Sequence, residues 1–219
     1  MAIKASTIKE KWAKGHDLNL NFWRIKLPRV AEVYNHAFEL PDYFGSMIGD
    51  KKEVWIADLG AGVMSTTGST WKDVIVHLYP SDYYWDEYKE FYPMKKVKQF
   101  IPMEKQDMEN LTYKDEMFDI VHCANALDHC VDPRKALSEM FRVCKKGGWI
   151  YLRHIPREGL HNKYSLQHQW NIEIQGDDCV IWNYQDRFLL SDCIKGFTTV
   201  EKQELSNEQV TIVSTYQKI

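Results

Sequence analysis

The segment Asp58-Leu59-Gly60-Ala61-Gly62-Val63-Met64-Ser65 follows a short apolar run and places two glycines one residue apart. Without a Cβ, glycine lets the chain turn tightly and lets a ligand approach the main chain, which suits the cradling of a nucleotide-like cofactor. Taken alone, such a turn serves structure as readily as chemistry. The dinucleotide cradle G-x-G-x-x-G asks for a third glycine at position 65, which is Ser65, so NAD fits incompletely. Asp82, in Pro80-Ser81-Asp82, ends the next apolar run 24 positions after Asp58. There a carboxylate can accept hydrogen bonds from two ribose hydroxyls, and it can also cap a helix over Tyr83–Tyr92; the two roles are compatible.

A second set of residues suits proton transfer. Asp128, His129, His154 and His168 are candidate acids or bases for a hydroxyl acceptor, since histidine titrates near neutrality and an adjacent carboxylate can hold its tautomer. Asp128, His129, His154, Glu158, His161 and His168 could converge in space, but no pair has familiar zinc-ligand spacing, so no metal is expected. Tyr164-Ser165-Leu166-Gln167-His168-Gln169-Trp170-Asn171 sets aromatic rings beside amide and imidazole donors, a composition suited to sugar-like or polar ligands. Against that, Trp170 and Trp182 are equally suited to the core of a small sheet, with His168 bonded to a backbone carbonyl.

The elements that must hold these residues are legible as patterns. Val54–Leu59, Val74–Tyr79, Phe100–Met103, Phe118–Ala124 and Trp149–Arg153 are apolar enough for strands buried on both faces, and helical segments between them predict a doubly wound parallel sheet. One helix is readable in detail: Asp132 caps it, Pro133 fits its first turn, and Ala136, Leu137, Met140, Phe141 and Cys144 form its apolar stripe. Lys145 and Lys146 suit its negative end and Gly147 its stop. Residues 1–50 read as a helical arm or lid, with Phe22, Trp23, Ile25, Leu27, Val30, Val33 and Tyr34 recurring at helical spacing and Pro28 and Pro41 as punctuation. Residues 51–219 read as one domain carrying an insertion at about 156–190 and closing on two strands near Phe197–Leu205 and Gln209–Tyr216 that pair antiparallel.

Composition narrows the function classes. The 219 residues carry 28 Lys+Arg against 31 Asp+Glu, a net charge of −3 that offers no electrostatic footprint for nucleic acid. No apolar window approaches a membrane span, and the N-terminus lacks the apolar stretch of a signal peptide. Five scattered cysteines argue for reduced thiols and a cytoplasmic location rather than a disulfide framework.

Over roughly residues 53–155 the sequence resembles the class I S-adenosylmethionine-dependent methyltransferases. Asp58-Leu59-Gly60-Ala61-Gly62 is similar to the family's first motif, Asp82 to its ribose carboxylate, and Gln106-Asp107-Met108-Glu109-Asn110-Leu111 to the segment that meets the adenine amino group. Phe118 to His129, running into Asp132-Pro133 and then Phe141 to Gly148, is similar in order and spacing. Met64 departs from the small residue the first motif has there. The resemblance implies a Rossmann-like, three-layer α/β/α fold with a mostly parallel sheet and an antiparallel last strand. It implies S-adenosyl-L-methionine as cofactor, held by Asp58, Leu59, Gly60, Ala61, Gly62, Asp82, Tyr83, Asp107, Met108, Ala124 and Asn125.

The expected activity is methyl transfer to an oxygen of a small polar metabolite or sugar derivative, without nucleic acid or membrane as partner and with a homodimer as an option. A Rossmann-like NAD enzyme, and a non-catalytic scaffold presenting Trp12, Phe22 and Trp23 to a partner, are the alternatives.

Overall fold

The computed structural model describes residues 5–194, 196–204 and 210–219. The chain opens with helix α1 (Ala5–Tyr34), then a short α2 (Phe44–Ile48), strand β1 (Glu53–Leu59) and β2 (Ile75–Asp82). Two single-turn helices, α3 (Trp85–Tyr88) and α4 (Phe91–Met94), lead to a two-residue β3 (Glu104–Lys105). There follow β4 (Phe118–Ala124), α5 (Pro133–Val143), β5 (Cys144–His154) and α6 (Glu158–His161). Strands β6 (Asn171–Gln175), β7 (Asp178–Trp182) and β8 (Arg187–Leu189) precede the closing pair β9 (Gly196–Glu204) and β10 (Val210–Lys218).

The main sheet has the order β3-β2-β1-β4-β5-β10-β9. Its first five strands run parallel, and β10 lies antiparallel between β5 and β9. Alternation along β1 assigns the two faces. Val54 and Ile56 pack with Phe44, Met47, Ile48 and Trp71 on the α2 side, whereas Ala57 and Leu59 pack with Leu137 and Met140 of α5. The expected insertion is an antiparallel sheet, β6-β7-β8, whose Trp170, Ile172, Ile181 and Phe188 extend the α5 layer. Helix α1 packs across a third cluster, with Leu27 against Val63, Met64, Tyr84 and Tyr88.

Several local expectations are corrected. The crossover from β1 to β2 contains no helix. Phe100–Met103 is not a strand; Phe100 is half exposed, and only Glu104 and Lys105 pair with Ser81 and Asp82. The helix expected over Tyr83–Tyr92 breaks into α3 and α4. Asp132 does cap α5, accepting the Arg134 N–H at 3.1 Å, but the helix stops at Val143. Cys144 to Gly147 already belong to β5, with a register shift against β4 and Gly147 in the left-handed region at φ +70°. The negative end of α5 is therefore met by Lys218 from β10, whose Nζ donates to the Phe141 and Cys144 carbonyls at 2.9 and 2.8 Å. Helix α1 continues through Pro28, and of its expected stripe Phe22, Ile25 and Val33 face away from the protein. Among the described residues no helix is long and apolar enough to cross a membrane, and all five cysteines are free.

Candidate active site

Parallel strands converge their carboxyl ends at one edge, and loops leaving β1, β2 and β4 there surround a cavity of about 430 Å³. Gly60 and Gly62 supply one wall, Asp82, Tyr83 and Tyr84 a second, and Gln106 to Glu109 a third. Asn125, Ala126 and His129 to Val131 continue it, Gln167 closes one end, and α1 roofs it with Lys9, Trp12, Asn19 and Trp23.

Both glycines are required by geometry. Gly60 sits at φ +70°, and a Cβ there would lie 2.3 Å from the Cβ of Ala126. Gly62 sits at φ +69°, and its Cβ would fall 2.6 Å from the Trp23 ring. Gly60→Ala is expected to cost about 1–3 kcal/mol of stability from left-handed strain and crowding, read as a lower urea midpoint at unchanged slope.

Asp82 ties the two loops together. Its Oδ2 accepts the Gly62 N–H and its Oδ1 the Tyr84 N–H, each at 2.9 Å, so it both caps the start of the following turn and braces the glycine loop. Burial pushes its carboxyl up to about 6 against the lowering influence of those two amides, and the charges of Asp58 and Glu87 add to the rise.

Asp58 is occupied elsewhere. Its Oδ2 accepts from Ser65 Oγ at 2.6 Å and Thr67 Oγ1 at 3.0 Å, and its Oδ1 lies 2.8 Å from His122 Nδ1. Burial alone would raise its pKa, yet His122, Ser65 and Thr67 together lower it, so Asp58 is an ionised anchor for the loop. His122 Nε2 in turn contacts the Tyr43 hydroxyl at 3.3 Å.

Of the residues expected at the cofactor, Gly60, Gly62, Asp82, Tyr83, Asp107, Met108 and Asn125 line the cavity, while Asp58, Leu59, Ala61 and Ala124 are not part of its wall. Asp107 forms a tight turn, its Oδ1 accepting the Glu109 N–H at 2.9 Å. Asn125 sits at φ +51°, held by the Ile155 N–H donated to its Oδ1 at 3.0 Å. Met108 reaches over Gly60, within 3.5 Å of the position a Cβ would take there.

Three of the acid–base candidates gather beside the cavity. His129 lines the cavity; Asp128 is buried behind it and accepts from His168 Nδ1 at 2.7 Å. Asp128 would be raised by burial, but His129, His168 and His154 hold it low. Burial lowers the pKa of His129 despite the Asp128 charge. It would lower that of His168 too, but the Asp128 hydrogen bond and charge, with Glu158, outweigh it and raise His168. His154 is buried apart from the wall and is pushed down to about 4 by desolvation.

Sequence reading gave the first 50 residues as an arm or lid but did not place Trp12, Asn19 and Trp23 at the cavity. Trp12 stacks on Tyr84 with ring centroids 5.2 Å apart, and Asn19 accepts from the Tyr88 hydroxyl and donates to Gln167. A helix that places Trp12, Asn19 and Trp23 on one side at spacings of seven and four was the available signal.

Residues 57–152, from β1 through β5, match a methyltransferase-domain family. The match spans the glycine loop, Asp82 and the β4 loop, the same segments that line the cavity. No curated protein sequence matches the chain. Among solved structures, an S-adenosylmethionine-dependent methyltransferase from Thermotoga maritima superimposes with a TM-score of 0.51 at 19% identity, covering 92% of this chain and 99% of that one. One from Methanosarcina mazei gives 0.50 at 14% identity, covering 83% and 100%. A chain from Haloferax volcanii, solved in a complex with the Trm112 methyltransferase activator, gives 0.51 at 12% identity, covering 92% and 96%. These likenesses are of fold.

S-adenosylmethionine is the cofactor that the match to a methyltransferase-domain family implies. The cavity fits it: the two glycines form a cradle that a Cβ would fill, and the wall offers an acidic side chain beside aromatic rings.

Proposed function

We propose that this protein transfers a methyl group from S-adenosylmethionine to an oxygen of a small polar metabolite or sugar derivative. Gly60 and Gly62 hold the amino-acid end of the cofactor, Asp82 its ribose, and Asp107 with Met108 its base. When bound, the cofactor supplies a methyl group on a sulfonium, and sulfur keeps the bonding pair as the acceptor's lone pair takes the methyl. The chain's own tasks are alignment, exclusion of water and removal of the acceptor's proton. Trp12 and Trp23 serve the second task, making α1 a lid. The third falls to the wall made by Asn125, His129 and Gln167, which face the acceptor, and the proton is lost at the cluster of Asp128, His129 and His168.

The observation that carries this reading is that one cavity is lined both by the glycine loop with Asp82 and by His129, behind which Asp128 accepts from His168. An NAD reading is disfavoured because Ser65 is buried with its hydroxyl committed to Asp58. The scaffold reading is disfavoured because Trp12 and Trp23 line the cavity. The test is calorimetric titration with S-adenosylmethionine and its demethylated product, followed by labelled methyl transfer to a panel of sugars, hydroxy acids and amines. Saturable binding with label on hydroxyl acceptors is expected; a melting temperature raised by NAD and not by the sulfonium compound overturns the reading.

A further inference from the structure

Asp128 Oδ2, His129 Nε2 and His168 Nδ1 turn toward one point, all three atoms lying within 4.8 Å of one another. Their separations are 2.7 Å from His168 to Asp128, 3.2 Å between the two imidazoles and 3.6 Å from His129 to Asp128. A tetrahedral ion with bonds of about 2.0–2.1 Å keeps its ligand atoms about 3.3 Å apart, so the triangle brackets that edge. Glu158 Oε2 stands 3.4 Å from His168 Nδ1, at the rim of the same group.

Hydrogen bonding accounts for these atoms less completely. The two facing imidazole nitrogens can share one proton, and Asp128, closer to His168, already draws it. A cation at their centre satisfies both nitrogen lone pairs and the buried carboxylate together. A second observation stands nearby: His154 is buried with neither ring nitrogen hydrogen-bonded among the described residues, and the Asp128 charge acts on it. A buried carboxylate between two imidazoles, its charge felt by a third that has no hydrogen-bond partner among the described residues, is donor chemistry for a metal.

We propose that Asp128, His129 and His168 form a site for a divalent transition-metal ion of the zinc class, with Glu158 beside it and an open position toward the cavity that His129 lines. Two imidazoles and a carboxylate favour zinc over magnesium or calcium, which prefer all-oxygen sets. The role of the site rests on the acceptor reading above: the acceptor hydroxyl ligates the ion, its oxygen becomes more acidic, its proton leaves to solvent, and the oxygen keeps the lone pair that forms the new bond to carbon. Local sequence spacing concealed the site, because His168 comes 39 positions after His129.

The test uses the full chain, stripped with a chelator and titrated with zinc chloride by calorimetry against a competing chelator. One ion per chain is expected, and His168→Ala and His129→Gln should each weaken it by roughly 100-fold or more. Cobalt(II) should give the strong visible absorption of a tetrahedral site, lost in both variants. His129 is partly exposed, so its variant keeps the test valid if His168→Ala fails to fold, as circular dichroism will report. Absence of saturable zinc binding, or equal affinity in a folded variant, overturns the proposal. Affinity for the demethylated cofactor, measured on the same samples, separates the two readings: its loss sinks methyl transfer and leaves the zinc isotherm to decide the site.

Discussion

Asp82→Ala is expected to weaken S-adenosylmethionine binding by roughly 10- to 150-fold, the range for losing hydrogen bonds to a charged group at about 1.5–3 kcal/mol. The carboxylate acts twice, as the acceptor proposed for the ribose hydroxyls and as the brace that fixes Gly62 and Tyr84 by their amides. Titration of the wild-type protein adds a signature. With Asp82 pushed up to about 6, the free protein holds the carboxylate mainly ionised at pH 7 and mainly protonated at pH 5. Hydroxyl donors bind the ionised form, so affinity is nearly full at pH 7 and above and falls as pH drops through 6, by at most about tenfold per unit. Asp82→Ala should remove that dependence. Calorimetry at pH 5, 6, 7 and 8 reads both effects, and an unchanged affinity in the variant moves the ribose site elsewhere.

How much of this was readable in advance depends on whether a signal is local. Strand β4 matches its sequence range at both ends because six of its seven residues are buried between two layers, which leaves an apolar run interrupted only by Asp119 and His122. The glycine loop is legible for the opposite reason, since positive φ and close approach select one residue type at two positions. Where a tertiary partner decides, the pattern misleads. The Cys144–Gly147 segment has the composition of a helix end, yet Lys218, distant in sequence, takes the carbonyls and frees the segment to begin β5. The stripe on α1 mixes Leu27, which is fully buried, with Ile25, which is exposed, because helical spacing alone does not say which side meets the body. The candidate site divides the same way. Its cofactor end lies on one loop and two strand ends, whereas its roof and its histidine cluster assemble from α1, the β4 loop and the segment before β6.

Asp128→Asn should lower kcat by about 10²- to 10⁴-fold while leaving the affinity for cofactor unchanged, the usual span for disabling proton removal. Asp128 is a positioning residue: it does not line the cavity, but it holds His168 and faces His129 Nε2 at 3.6 Å. Asparagine keeps the shape and removes the charge that steadies both imidazoles, so a merely structural role predicts a stability change without a selective fall in kcat. The pH profile supplies the independent readout. Burial holds the His129 pKa below its ordinary 6.5, against the pull of Asp128 and Glu158 and with the push of His168. The cluster works with its imidazoles neutral, whether they take a proton or ligate an ion, so the rate falls on the acid side as they become protonated. Removing the Asp128 charge takes away what favours protonation of His129 and His168 alike, and the acid limb moves to lower pH. A variant whose kcat falls less than about fivefold, with the limb unmoved, would place proton removal outside this cluster.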